Sequence, residues 1–253
     1  MELDKKQESK INSKLKKKSR FQDGFKGGKT INEVLDKNAM LTIYRMINLH
    51  VISHVNGVVK AGKESVVFWA KKDKADIALK VYLVSTSNFK RRWPYITGDR
   101  RFGSIKKGTR NMINLWARKE FRNMSQCYDV GIKAPRPIRV LNNVLAMEFI
   151  GDNGTPSRRL LESKVEMSDY TDAVSILRDM YHKARLVHCD YSEYNIFKDQ
   201  TGITVFDLGS AVDLQHPGAM QFLKRDISNI TRFFVKRGMN VPNPKDAYEE
   251  ITN

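Results

Sequence analysis

An α+β fold divided into two lobes is predicted for this 253-residue chain from the order of its patterned segments. Short β-branched runs crowd residues 51–149 with one long helical period among them. Helical periods and a single hairpin follow the Gly151-Asp152-Asn153-Gly154 punctuation. Strands gathered in one half and helices in the other exclude a doubly wound parallel sheet.

Residues 1–30 are lysine-rich, weakly patterned and read as a flexible basic arm. From Thr30, helical spacing of Asn32, Val34, Leu35, Leu41, Tyr44 and Ile47 predicts one or two short helices. Strands follow at Val51–Lys60, Ser65–Lys72 and Ile77–Val84, separated by turns at Gly62-Lys63 and Asp73-Lys74. Phe89–Gly108 has no period, contains Pro94, Gly98 and Gly103, and reads as a long, basic, mobile loop. A helix is predicted over Thr109–Cys127, then strands at Ile138–Leu141 and Val144–Phe149 after Pro135 and Pro137. The N-terminal lobe is thus 31–150 and the C-terminal lobe 151–253. In the latter, Ser168 or Asp169 caps a helix running to about Ala184. A hairpin pairs Asn195–Lys198 with Ile203–Asp207 about Gln200-Thr201-Gly202, and a last helix spans Ala219–Arg237.

The formal net charge is +17, and most of it lies in two stretches. Residues 1–30 hold ten Lys/Arg against four Asp/Glu, and residues 88–122 hold eleven against Asp99 and Glu120. Clustered positive charge favours a polyanion such as RNA, whose phosphates release counterions on binding. Cys127 and Cys189 are the only cysteines and form no CxxC, which points to neither a disulfide framework nor a zinc site. The lysine-rich start has no apolar core of a signal peptide, and no run approaches a membrane span, so a cytoplasmic protein without membrane attachment is expected.

Chemistry concentrates in His188-Cys189-Asp190-Tyr191-Ser192-Glu193-Tyr194-Asn195 and, twelve residues on, Asp207-Leu208-Gly209. In protein kinases the pattern H-R-D-L-x-x-x-N carries the catalytic Asp, and D-F-G carries a metal-binding Asp. Two short strands and a turn between Asn195 and Asp207 would bring both side-chain oxygens to one site, where hard Mg²⁺ takes oxygen ligands. Asp190 would orient an attacking hydroxyl or water and accept its proton. Lys80, in Ile77-Ala78-Leu79-Lys80-Val81, matches the V-A-I-K strand whose lysine meets the α- and β-phosphates. A buried ammonium needs a partner, and Glu120 on the following helix is the candidate. Lys60-Ala61-Gly62-Lys63-Glu64-Ser65 offers one glycine where kinases have three; Gly62 lets the backbone approach phosphate, and Lys63 can donate to it.

Together these residues resemble the atypical RIO protein kinases, most closely the Rio-one type in the compact form of its archaeal members. The resemblance runs from about Val51 to Val241. It rests on Gly62-Lys63-Glu64-Ser65, Ala78-Leu79-Lys80-Val81-Tyr82 and Trp116-Ala117-Arg118-Lys119-Glu120-Phe121-Arg122-Asn123. Met147-Glu148-Phe149-Ile150-Gly151, the His188–Asn195 loop, His216-Pro217 and Phe222-Leu223-x-Arg225-Asp226 complete it. It implies a two-lobed protein-kinase-like fold acting as a serine protein kinase and ATPase with ATP and Mg²⁺, for which Mn²⁺ substitutes. Lys80 and Glu120 would position phosphate, with Gly62 and Lys63 above them. Met147, Glu148 and Ile150 would form the adenine hinge, and Glu193 would belong to the nucleotide site. Asn195 and Asp207 would hold the metal, Asp190 would be the acid–base residue, and Asp207 would carry a phosphoaspartate. The family acts in small ribosomal subunit maturation, which makes a pre-ribosomal particle or its RNA the implied partner of 1–30 and 88–122.

Lys60-Ala61 stands where Ser-Thr is usual, and Cys189 replaces a small residue. The 46 residues after Asp207 leave no room for an activation segment or the helices that hold a peptide substrate, so a truncated C-terminal lobe is expected. No winged helix fits before Val51, which argues against the Rio-two type. Ser104 is a candidate autophosphorylation site in the basic loop. Two other readings stay open: an RNA-binding pseudokinase with nucleotide as a structural ligand, and a small-molecule kinase, for which the second lobe is short.

Overall fold

The computed structural model describes residues 35–84, 92–102 and 108–253. The basic arm 1–30, Asn32, Val34 and Ser104 lie outside the described residues. The first lobe begins with helix α1 (Lys37–Asn48), capped by Asp36, whose side chain accepts from the Ala39 N–H. Strands β1 (His54–Ala61), β2 (Ser65–Lys72) and β3 (Ala75–Tyr82) follow, then helix α2 (Thr109–Asp129), β4 (Pro137–Leu141) and β5 (Val144–Glu148). The strands form one antiparallel sheet in the order β1-β2-β3-β5-β4. Register shifts between Val55 and Gly57 and between Val58 and Lys60 bend β1, which starts three residues later than its β-branched run suggests.

The alternation of β3 sets up the site. Ile77, Leu79 and Val81 pack against Ala39, Ile43 and Met46 of α1. Successive strand side chains point to opposite faces, so Ala78 and Lys80 face away from α1, toward the second lobe. Full burial of Ile43 and Met46 contributes about 1.5–3 kcal/mol each to holding α1 on its side of the sheet.

The second lobe opens with short pairings, β6 (Gly151–Asp152) with β7 (Thr155–Pro156), and then β8 (Arg158–Arg159). Gly154, with φ +81°, turns the first of these; a Cβ there would meet the Trp69 ring at 2.5 Å. Helix α3 (Met167–His182) precedes β9 (Leu186–Val187) and the hairpin β10 (Ile196–Asp199) with β11 (Gly202–Val205), and β8 pairs with β10. β12 (Val212–Asp213) pairs with β9, and α4 (Ala219–Lys236) and α5 (Pro244–Thr252) complete the lobe. The helices α3, α4 and α5 pack on one another around Leu177, Met180, Ile227, Phe234 and Ile251.

Two differences from the sequence reading have physical causes. Segment 92–102 is not featureless: two short 3-10 turns, Trp93–Tyr95 and Arg100–Phe102, seat it against α2. Ile96 joins Met112, Ile113 and Trp116 in a small core, and Asp99 is buried with its carboxylate accepting from Arg101. Helix α5 also went unpredicted, although Asn243 caps it by accepting from the Lys245 and Asp246 N–H groups and Pro244 starts it.

Candidate active site

Lys80 projects from β3 between the lobes and is 7% exposed. Its Nζ donates to Glu120 Oε1 at 2.8 Å and Oε2 at 2.9 Å, and to Asp207 Oδ1 at 2.8 Å. One ammonium thus joins the sheet, helix α2 and the segment after β11. Burial opposes its charge, yet the two carboxylates hold Lys80 protonated well above the usual lysine range. Glu120 is buried enough that desolvation pushes its carboxyl up to about 7 against the pull of Lys80. Asp207, its side chain 46% exposed, shows the opposite balance: desolvation works against ionisation, but the charge and hydrogen bond of Lys80 keep its carboxyl below the ordinary range.

Asp207 lies just beyond β11 with φ +62°, a left-handed conformation uncommon outside glycine. Cys189 in the loop beside it has φ +66°. Such backbone is held only where surroundings over-determine it. Here Asp226 of α4, fully buried, accepts from the Cys189 N–H at 2.7 Å and the Tyr191 N–H at 3.1 Å. His188 adds a second brace. Its Nδ1 accepts from the Asp190 N–H at 3.3 Å and its Nε2 lies 3.1 Å from the Phe206 carbonyl, a pattern that fits a neutral ring protonated on Nε2. Burial lowers its pKa from 6.5 to about 4, which agrees.

Asp190 accepts from Asn195 Nδ2 at 2.9 Å, and the Asn195 carbonyl accepts from the Phe206 N–H, so the loop and the Asp207 segment are tied together. Asp190 is an exposed residue whose carboxyl is raised above its ordinary pKa by partial desolvation and then by the Asp207 charge, with Asn195 opposing. From above, α2 grips the same segment: Asn123 Nδ2 donates to the Leu208 and Ala211 carbonyls and Lys119 Nζ to Ala211. Gly209 permits this approach, because a Cβ there would lie 2.9 Å from Trp116 Nε1.

Next to these groups is a cavity of about 350 Å³. Val67 and Ala78 of the sheet form its roof, Phe197 and Phe206 its floor, and Met147, Glu148 and Ile150 its back. The two phenyl rings stack at 3.9 Å. Ala78 precedes Lys80 on one strand face and Phe206 adjoins Asp207, so the ion triad lies beside the cavity. Gly62 and Lys63 form an exposed turn above, closed by the Gly62 N–H donating to the Ser65 carbonyl at 2.9 Å. Glu193 is half-buried at the rim, and its carbonyl accepts from the Leu161 N–H.

Most candidates from the sequence therefore converge, with Lys63 and Glu193 peripheral. Asp226, Asn123 and Lys119 are the functional neighbours that sequence reasoning missed. All three stood inside the quoted motifs, but their partners are 35–92 residues away. The described basic residues of 88–122 divide between interior and surface. Arg92 and Lys119 are buried and Arg101 pairs with Asp99, whereas Arg100, Arg118 and Arg122 are exposed.

Residues 66–247 match the family model described as the RIO domain. The RIO-type serine/threonine-protein kinase Rio1 of Methanocaldococcus jannaschii is 36% identical over 240 residues, covering 94% of this chain and 81% of that one. Serine/threonine-protein kinase rio1 of Dictyostelium discoideum is 37% identical over 231 residues, covering 88% of this chain but 40% of its own length. This chain thus spans less than half of that larger relative. Among solved structures, the Rio2 kinase-ADP/Mg²⁺-phosphoaspartate complex from Chaetomium thermophilum superimposes with a TM-score of 0.62 at 23% identity. That alignment covers 83% of this chain and 65% of the other, and establishes a shared kinase-like fold.

Proposed function

The chain belongs to the RIO domain family, and from that premise we propose that it is a Mg²⁺-ATP-dependent serine/threonine protein kinase that also hydrolyses ATP. The observation that carries this reading is the Lys80 ammonium, 2.8 Å from both Glu120 and Asp207 and beside a cavity of about 350 Å³. A base would be read by the Glu148 carbonyl and the Ile150 N–H. The Glu148 N–H is engaged with the Arg136 carbonyl, and the Ile150 carbonyl accepts from the Ser157 N–H, each at 2.9 Å.

The donor set suits Mg²⁺. Asp207 and Asn195 bring hard oxygens, and among the described residues no cluster of three or more His, Cys, Asp or Glu forms a self-sufficient metal cage. Mg²⁺ commonly takes one or two carboxylates and completes its shell with water and phosphate oxygens. When bound, it offsets charge on the phosphate oxygens during transfer. Lys80 orients the α- and β-phosphates. Asp190, its affinity for protons raised by partial desolvation and the Asp207 charge, accepts the proton of the attacking hydroxyl. In hydrolysis, an Asp207 carboxylate oxygen attacks the γ-phosphorus, the bond to ADP breaks, and water assisted by Asp190 cleaves the resulting acyl phosphate. The phosphoaspartate of the Chaetomium Rio2 complex supports that route.

The implied setting is maturation of the small ribosomal subunit, with exposed Arg100, Arg118 and Arg122 facing RNA. Two buried free thiols, Cys127 and Cys189, suit a reducing compartment such as the cytoplasm. No described helix is long and apolar enough to cross a membrane. Turnover of γ-labelled ATP tests the enzymatic core. Asp190→Ala and Asp207→Asn should each cut turnover by roughly 10²-fold or more while ATP still binds. Unchanged turnover in both variants, with RNA affinity indifferent to nucleotide, would make the chain an RNA-binding scaffold instead.

A further inference from the structure

Arg92 has no part in the site as built so far, yet it is a charged side chain only 6% exposed at the phosphate end of the cleft. Three of its contacts with described residues place it in the cleft. Its guanidinium carbon lies 4.8 Å from the ring centroid of Trp116, the indole that Gly209 packs against. It lies 5.6 Å from the centroid of Tyr82, whose ring also has Lys80 Nζ at 5.3 Å. Its Nη2 is 2.5 Å from Glu64 Oε2, in the turn that contains Gly62 and Lys63. The guanidinium is therefore bracketed by the phosphate turn, the ring beside Lys80, and the indole against the Asp207-Leu208-Gly209 segment.

Taking a guanidinium out of water is costly unless counter-charge and hydrogen bonds compensate. Stacking on two rings returns part of that cost. Among the described residues its acidic partner is Glu64, whose side chain is 42% exposed and therefore screened by solvent and able to let go. A planar fork of N–H donors matches phosphate oxygens, which carry more charge than one carboxylate.

We propose that Arg92 is a ligand of the terminal phosphates of a bound nucleoside triphosphate, and that Glu64 is the counter-ion it exchanges for them. The inference rests on the nucleotide reading of the cleft and extends it. The segment that follows Arg92 is also fastened elsewhere. His216 Nε2 lies 2.9 Å from the Pro94 and Thr97 carbonyls, and Asp99 lies 3.6 Å from Lys119 on α2. Exchange of partners at Arg92 therefore links the number of phosphates on the ligand to residues 92–102.

Calorimetric titration of ATP, ADP and adenosine, with Mg²⁺ present, tests the assignment on wild type, Arg92→Gln and Glu64→Gln. A lost charge-assisted bond predicts ATP affinity lower by roughly tenfold or more in Arg92→Gln, with adenosine unchanged. Glu64→Gln removes the competing carboxylate, so ATP should bind several-fold tighter, again with adenosine unchanged. A purely structural Arg92 predicts equal loss for all three ligands, or none, and weaker ATP binding in Glu64→Gln; either result overturns the proposal. Should Arg92→Gln fail to fold, the sign of the half-exposed Glu64→Gln effect decides alone. Wild type that binds none of the three ligands would defeat the nucleotide reading itself, a result distinct from failure of the Arg92 assignment.

Discussion

Replacing Lys80 with methionine removes the ammonium but keeps a long apolar side chain in β3. Glu120, with its side chain 1% exposed, is then a buried carboxylate without its 2.8 Å counter-ion. Removing one partner of a buried pair costs about 3–5 kcal/mol, because the remaining charge stays desolvated. For a chain of this size that corresponds to a melting temperature lower by about 6–20 °C. Glu120→Gln added to Lys80→Met makes both positions neutral and should recover most of the loss. The loss should also depend on pH. Burial already holds the Glu120 carboxyl above its ordinary 4.5, and removing Lys80 raises it further. A raised folded-state pKa means that stability is fully present below 4.5 and falls as pH rises through the folded value. Lys80→Met should therefore be closest to wild type near pH 5 and furthest from it near pH 8 (roughly, by the same linkage). Thermal and urea melts of wild type, Lys80→Met and the double variant at those two conditions measure this. A single variant as stable as wild type, or a double variant no better than Lys80→Met, would refute the argument.

Two further outcomes follow from the braces beneath the catalytic loop. Asp226→Asn places an amide NH₂ against one of two backbone N–H donors in a fully buried site, which should cost roughly 1–3 kcal/mol in urea melts. Turnover should fall more than ATP affinity, since Asp190 lies between the two braced residues; equal effects on both would contradict the positioning role. His188 is held neutral, its pKa depressed from 6.5 to about 4, so its contribution is present above 6.5 and drains as pH falls toward 4. The full effect is about 3 kcal/mol at 1.36 kcal/mol per pKa unit. His188→Gln should flatten the stability profile in that window, and an unaltered profile would assign the acid sensitivity to other groups.

What the sequence disclosed was whatever fits in a short window. The Ala78-Leu79-Lys80 alternation, the His188–Asn195 loop and Asp207-Leu208-Gly209 each bring their own geometry, because strand period and loop spacing are local properties. Glu120 was legible in two ways, as a partner that a buried Lys80 must have and as part of the Trp116–Asn123 resemblance. Asp226 was invisible as a brace, since nothing within α4 distinguishes a buried aspartate from a solvated one, and its donors lie 35 and 37 residues upstream. The same holds for Asn123 and Lys119, whose acceptor carbonyls belong to residues 208 and 211. Segment 92–102 misled for the converse reason. Pro94, Gly98 and its many arginines give no period, while its order comes from packing on α2 and from the buried Asp99. The Asn243-Pro244 start of α5 was a local signal, available in sequence and passed over.

The account rests on one cleft that accepts ATP together with a metal held by Asp207 and Asn195. Calorimetric titration of ATP into wild type and Asp207→Asn, each with and without Mg²⁺, addresses that point most directly. The predicted result is one site per chain, tightened by Mg²⁺ in wild type, with binding retained but the Mg²⁺ increment lost in Asp207→Asn. Absence of saturable binding, or an equal Mg²⁺ increment in both proteins, would contradict it.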